Sequence, residues 1–216
     1  MSHAVASPAG VALVQRQVRW AALGDSFTAG TDRGERTWAT LVQDRLGITT
    51  PTTLINLAEV GARIDRIEAQ QLPVAVSNRP DLVTVICGGN DVINTVRPMP
   101  AALALDIDYI FERVASALPD AGLLTATYPP IAPDALRPRT RRRIEDGMAA
   151  LNVAIRDAAT RHGIACVELA AHPGHSDASK YADDGIHPSG AGHRAAADVL
   201  EPAIRQLLER APLGQP

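Results

Sequence analysis

Leu82-Val83-Thr84-Val85-Ile86-Cys87 is apolar on both faces and runs straight into Gly88-Gly89-Asn90-Asp91. A strand with one face in water alternates apolar and polar residues. A strand covered by helices on both faces has no such alternation, so this segment reads as the centre of a parallel sheet. Upstream, residues 18–23 form an apolar run ending at Gly24, and residues 53–57 are a short strand candidate. Between them, residues 37–46 carry a capping-type Thr37 and helical spacing at Trp38, Leu41, Val42 and Leu46, closed by Gly47. A helical stretch over 63–71 points Ile64 and Ile67 inward. Downstream, residues 100–118 read as a helix with Leu103, Ile107, Ile110, Phe111 and Val114 on one stripe. Residues 123–127 and 164–168 supply a fourth and fifth strand. A Pro-rich loop through Pro129, Pro130 and Pro133 and a helix over 140–162 lie between them, and a last amphipathic helix spans 189–209. Five strands separated by helices imply an α/β fold: a parallel sheet covered on both faces.

Composition sets limits on what such a chain does. Its 216 residues suit a single domain spanning 1–216, with 1–16 set apart as a flexible N-terminal extension. The chain is 46% hydrophobic and 21% charged, as a globular protein is, but only 3% aromatic, so Ala, Val, Leu and Ile must fill the core. A net charge of −3 leaves no basic footprint for nucleic acid, and no aromatics interleave with Lys and Arg to form a stacking platform. No window reaches the about 18 apolar residues of a membrane span. The N-terminus lacks a charged segment followed by a long apolar one, so a cytoplasmic location is expected. Cys87 and Cys166 each fall in a strand-like run and read as two buried thiols rather than a bridge.

In open parallel sheets the ligand crevice lies beyond the carboxyl ends of the strands, so chemistry belongs in the strand-to-helix loops. Three loops carry reactive types. Gly24-Asp25-Ser26-Phe27-Thr28-Ala29-Gly30 places a hydroxyl and a backbone N–H at the sheet edge, between glycines that allow a tight turn. Read alone, it is equally an ordinary Gly-Ser turn. Gly88-Gly89-Asn90-Asp91 offers the Asn90 amide as a donor, or a plain turn or helix cap. Asp183-Asp184-Gly185-Ile186-His187-Pro188 puts a carboxylate three residues before a histidine that could act as general base. Taken together, these supply a nucleophile, an oriented base and an oxyanion donor on one sheet edge.

On these motifs the chain resembles the SGNH (GDSL) serine hydrolases, whose four blocks supply Ser, Gly, Asn and His. Gly24-Asp25-Ser26-Phe27-Thr28 looks like the first block, Gly89-Asn90-Asp91 like the third and Asp184-Gly185-Ile186-His187-Pro188 like the last. Asn56-Leu57-Ala58-Glu59-Val60-Gly61 looks like the second, with Glu59 where family members often have a small residue. The resemblance implies a three-layer α/β/α sandwich with a five-stranded parallel sheet of flavodoxin-like order, acting without metal or cofactor. It implies Ser26 as nucleophile, His187 as base, Asp184 as its orienter, and Ser26, Gly61 and Asn90 as oxyanion donors. Asp25 and Gly89 are expected to support the site structurally. The implied substrate is a small-molecule carboxylic ester or thioester of small to medium acyl size, with the oligomeric state open.

Several features compete with this reading. An acyltransferase or thioesterase in a biosynthetic pathway would use the same acyl-enzyme, and a non-catalytic binding module could share the fold. Arg137, Arg139, Arg141, Arg142 and Arg143 read as a solvated helix start, or as a strip facing the crevice that attracts an anionic acyl carrier or coenzyme A. His172, His175, Asp177 and His187 match no metal motif with a stated mechanism. No Gly-x-Ser-x-Gly elbow occurs, and Gly190-Ala191-Gly192-His193-Arg194-Ala195 follows a loop, which excludes a dinucleotide fingerprint.

Overall fold

The computed structural model of the chain describes residues 17–31, 36–97, 99–131, 136–174 and 177–210; the N-terminal extension expected over 1–16 lies outside them. The central strand, β3 (Leu82–Ile86), has all five residues buried. It lies between β1 (Val18–Gly24) and β4 (Gly122–Ala126), with β2 (Thr52–Asn56) outside β1 and β5 (Ala165–Val167) outside β4. Every pairing is parallel, giving the flavodoxin-like order β2-β1-β3-β4-β5. Winding therefore reverses at β1 and β3, the switch point where open sheets of this type place their ligands.

The helices complete three layers. Helix α2 (Trp38–Gly47) packs against α8 (Gly190–Arg210) on one face, and α6 (Pro100–Ala117) against α7 (Pro138–His162) on the other. Ala, Val, Leu and Ile dominate the core, with Trp20 and Trp38 fully buried and their rings 5.8 Å apart. The indole N–H of Trp20 donates to Thr84 Oγ1 at 3.1 Å, so this polar group enters the core with a partner.

The structure corrects three sequence expectations and decides a fourth. The helical stretch expected to stop at Gln71 continues: α3 (Ile64–Arg66) passes through a π-turn at Ile67–Gln71 into α4 (Leu72–Asn78). Pro73 carries no N–H for a regular helical bond, and a wider turn just before it absorbs the mismatch without ending the helix. Of the two local readings of Gly88-Gly89-Asn90-Asp91, the helix cap holds: Gly88 is the N-cap of the short helix α5 (Gly89–Ile93). Gly47 is the last residue of α2 rather than a left-handed cap. Cys87 is buried but Cys166 only half-buried, because three-residue β5 is an edge strand; both thiols are free.

Candidate active site

At the carboxyl end of β1 the backbone approaches β3 closely. Gly24 has φ +149°, and a Cβ on it would lie 2.3 Å from the Ile86 carbonyl oxygen, so only glycine fits. Buried Gln71 clasps this residue from the side, accepting its N–H at 2.8 Å and donating to its carbonyl at 2.9 Å. The chain then turns into α1 (Ser26–Ala29), capped by the Asp25 carboxylate, which accepts from the Phe27 N–H at 3.0 Å. Ser26 is the first residue of that turn. Among the described residues no group accepts from its N–H.

The last loop brings the imidazole to this hydroxyl. His187 Nδ1 lies 2.5 Å from Asp184 Oδ2, and Nε2 lies 3.0 Å from Ser26 Oγ. A proton on Nδ1, donated to the carboxylate, leaves Nε2 as acceptor for the serine hydroxyl. Asp184 Oδ1 also accepts from the N–H groups of Ile186 (2.8 Å) and His187 (3.0 Å). Partial burial pushes the Asp184 carboxyl upward, but the His187 ring and these two N–H groups outweigh it and hold the group below its ordinary value. The loop is closed by backbone bonds from Ala182 N to His187 O (2.8 Å) and from Ser189 N to Lys180 O (2.9 Å).

Two further segments meet the serine loop. Asn90 sits in the first turn of α5, and its side-chain amide donates to the Ala62 carbonyl at 3.0 Å. The second amide hydrogen remains for another acceptor. Asp91 fastens the same loop, accepting from Ile64 N–H (3.2 Å) and from Arg63 Nε (3.1 Å). Gly61 has φ +78° inside a turn closed by Ala62 N to Glu59 O at 3.1 Å. Its N–H has no acceptor among the described residues. Glu59 turns its side chain to Arg66 at 2.7 Å, away from this turn, which accommodates a charged residue at that position.

Asp25 and Gly89 meet beneath the site. The Asp25 carboxyl is buried, and burial pushes it up to about 6 even though hydrogen bonds from Tyr128 and Phe27 pull it down. Tyr128 OH donates to Asp25 Oδ2 at 2.7 Å. A Cβ on Gly89 would lie 3.3 Å from both Asp25 Oδ2 and the Tyr128 ring. Tyr128, Gln71 and Arg143 escape a reading by motif. Tyr128 does follow the fourth strand, at the sheet edge where loops carry chemistry, and that position was the one available signal. The Arg143 guanidinium is turned onto the carbonyls of Val92 (3.0 Å), Ile93 (3.1 Å) and Thr95 at the end of α5.

Ser26 and His187 open into a cleft of about 170 Å³ whose walls are mainly apolar: Phe27, Ile131, Leu169, Ile186, Ala196 and Val199. Asn90 also lines it, while Gly61 does not. None of the arginines from Arg137 to Arg143 lines the cleft, which sets aside the alternative of a crevice-facing strip; Arg143 is spent on α5. Among the described residues no three His, Cys, Asp or Glu side chains gather as metal ligands, and His175 lies outside those residues. No helix among them is long and apolar enough to cross a membrane.

A sequence profile of the GDSL-like lipase/acylhydrolase family matches residues 22–195, and the chain belongs to that family. Its fold is shared by solved structures of low sequence identity. The lipase/acylhydrolase from Enterococcus faecalis is 19% identical, with TM-score 0.71 over 92% of this chain and 100% of that one. LAE5, an alpha/beta hydrolase enzyme from the metagenome of Lake Arreo, is 24% identical, with TM-score 0.70 over 88% and 96%. The psychrotrophic esterase EstA from Pseudoalteromonas sp., solved with monoethylphosphonate as inhibitor, is 16% identical, with TM-score 0.67 over 89% and 99%. No curated protein sequence matches the chain.

Proposed function

We propose that this protein hydrolyses carboxylic esters or thioesters of small to medium apolar acyl groups through an acyl-enzyme on Ser26. The observation that carries the reading is the continuous relay from Asp184 through His187 to Ser26 Oγ, opening into an apolar cleft. Ser26 Oγ attacks the acyl carbon as its proton passes to His187 Nε2. The tetrahedral oxyanion is held by the N–H groups of Ser26 and Gly61 and by the Asn90 amide. Collapse breaks the bond to the leaving alcohol or thiol, which takes the proton from His187. Water, deprotonated by the same imidazole, then releases the acid and restores Ser26. Asp184 fixes the Nδ1–H tautomer and offsets the imidazolium charge in both halves.

The mainly apolar walls of the cleft favour a hydrocarbon arm. The test is hydrolysis of p-nitrophenyl esters from acetyl to palmitoyl by the wild type and Ser26→Ala side by side. Activity peaking at one chain length and lost in the variant supports the proposal. A Ser26→Ala protein as active as the wild type would sink it, as would a Ser26 that an alkyl phosphonate does not label.

A further inference from the structure

Tyr128 lies under the site, and its contacts exceed what packing alone requires. Asn152 of α7 holds its backbone from both sides, accepting the Tyr128 N–H at 2.8 Å and donating to its carbonyl at 2.9 Å. Phe27, the neighbour of Ser26, meets its ring edge-on at a centroid distance of 5.9 Å. The side chain touches two loops: its hydroxyl donates to Asp25 Oδ2 at 2.7 Å, beside Ser26, and its ring packs against Gly89, beside Asn90, where a Cβ would lie 3.3 Å from it. Asp25 is buried, so this bond is not exchanged cheaply for one to water.

Resting on the esterase reading, we infer that Tyr128 is a positioning residue for catalysis: its hydroxyl, bonded to Asp25, and its ring, packed against Gly89, set the distance between the Ser26 nucleophile and the Asn90 oxyanion donor. Ser26 and Asn90 sit on different strands' loops, and no direct bond joins them. The phenol is the shared strut, and α7 is its footing. Oxyanion donors act only when held at the right separation from the forming C–O⁻, so a strut of this kind is felt in turnover more than in substrate binding.

The test is a double-mutant cycle on the best p-nitrophenyl ester. Tyr128→Phe should lower kcat about 10- to 100-fold with KM changed less than about threefold. If the strut acts through Asn90, Tyr128→Phe should cost less than about threefold when Asn90→Ala is already present. A purely structural role would lower the urea midpoint but leave the two losses multiplying. Should Tyr128→Phe fail to fold, Asn152→Ala frees the strut from its footing and should show the same non-additivity with Asn90→Ala. A kcat within threefold of wild type, or losses that multiply, overturns the inference. A wild type inert to every ester and unlabelled at Ser26 overturns the esterase reading and this inference together.

Discussion

Replacing Asp25 by asparagine should stabilise the protein relative to wild type progressively as the pH rises. Asp25 is buried against Tyr128, Gly89 and the Phe27 N–H, with Asp91 adding to the field that opposes its charge and His187 relieving it. Burial is the largest effect and moves the carboxyl from 3.8 to about 6 in the folded state. With the folded value raised, the native protein holds a proton between those two values that the unfolded chain has released. Stability therefore falls as pH climbs through the window and stays low above it. Roughly two units at about 1.4 kcal/mol each amount to about 3 kcal/mol of stability withheld from wild type above the window. Asparagine keeps the shape and carries no titrating proton, so its stability relative to wild type should improve by about 2.5 kcal/mol between pH 4 and pH 7.5. Urea unfolding of both proteins at half-unit pH steps measures this gap, in which every other titrating group cancels. A gap that stays constant with pH, or that moves toward wild type, refutes the reasoning.

Arg143→Ala should lower stability by about 1–3 kcal/mol, since three carbonyls at the end of α5 lose a charged donor. Because α5 carries Asn90, kcat should fall with it by about tenfold while KM hardly moves, as steady-state kinetics on one ester would show. Ala196→Phe should fill the cleft under α8. Short acyl esters should be hydrolysed as before, while the chain-length optimum shifts downward across a p-nitrophenyl series, and an unchanged optimum would place the acyl arm elsewhere.

Where the fold was legible, the reason is periodicity. The two-faced apolar run at Leu82–Ile86 could belong only to a covered strand, and the stripe through Ile107, Phe111 and Val114 only to an amphipathic helix. Gly89–Ile93 was harder, because Gly88-Gly89-Asn90-Asp91 is turn chemistry and five residues hold too little pattern to announce a helix. What stabilises α5 is remote: Arg143 on its last carbonyls, fifty residues along the chain.

The same division runs through the site. Ser26, Asn90 and the Asp184–His187 pair could be named from the sequence because a reactive side chain next to a strand end leaves a local signature that neighbouring residues must permit. Gly24 is the plainest case, where the close approach of β1 to its neighbour β3 demands glycine. Tyr128, Gln71 and Asn152 leave no such signature. Each acts through hydrogen bonds to groups distant in sequence, Tyr128 to Asp25 and Gln71 to Gly24 among them. A phenol or an amide is placed by the register of the sheet and the packing of α7, and those distances exist only once the chain has folded. The sequence by itself determined the sheet, its order of elements and the reactive residues at its edge. Tertiary structure alone decided their separations, the buried charge of Asp25 and the struts that hold them, because burial and distance belong to the packed chain and to no segment of it.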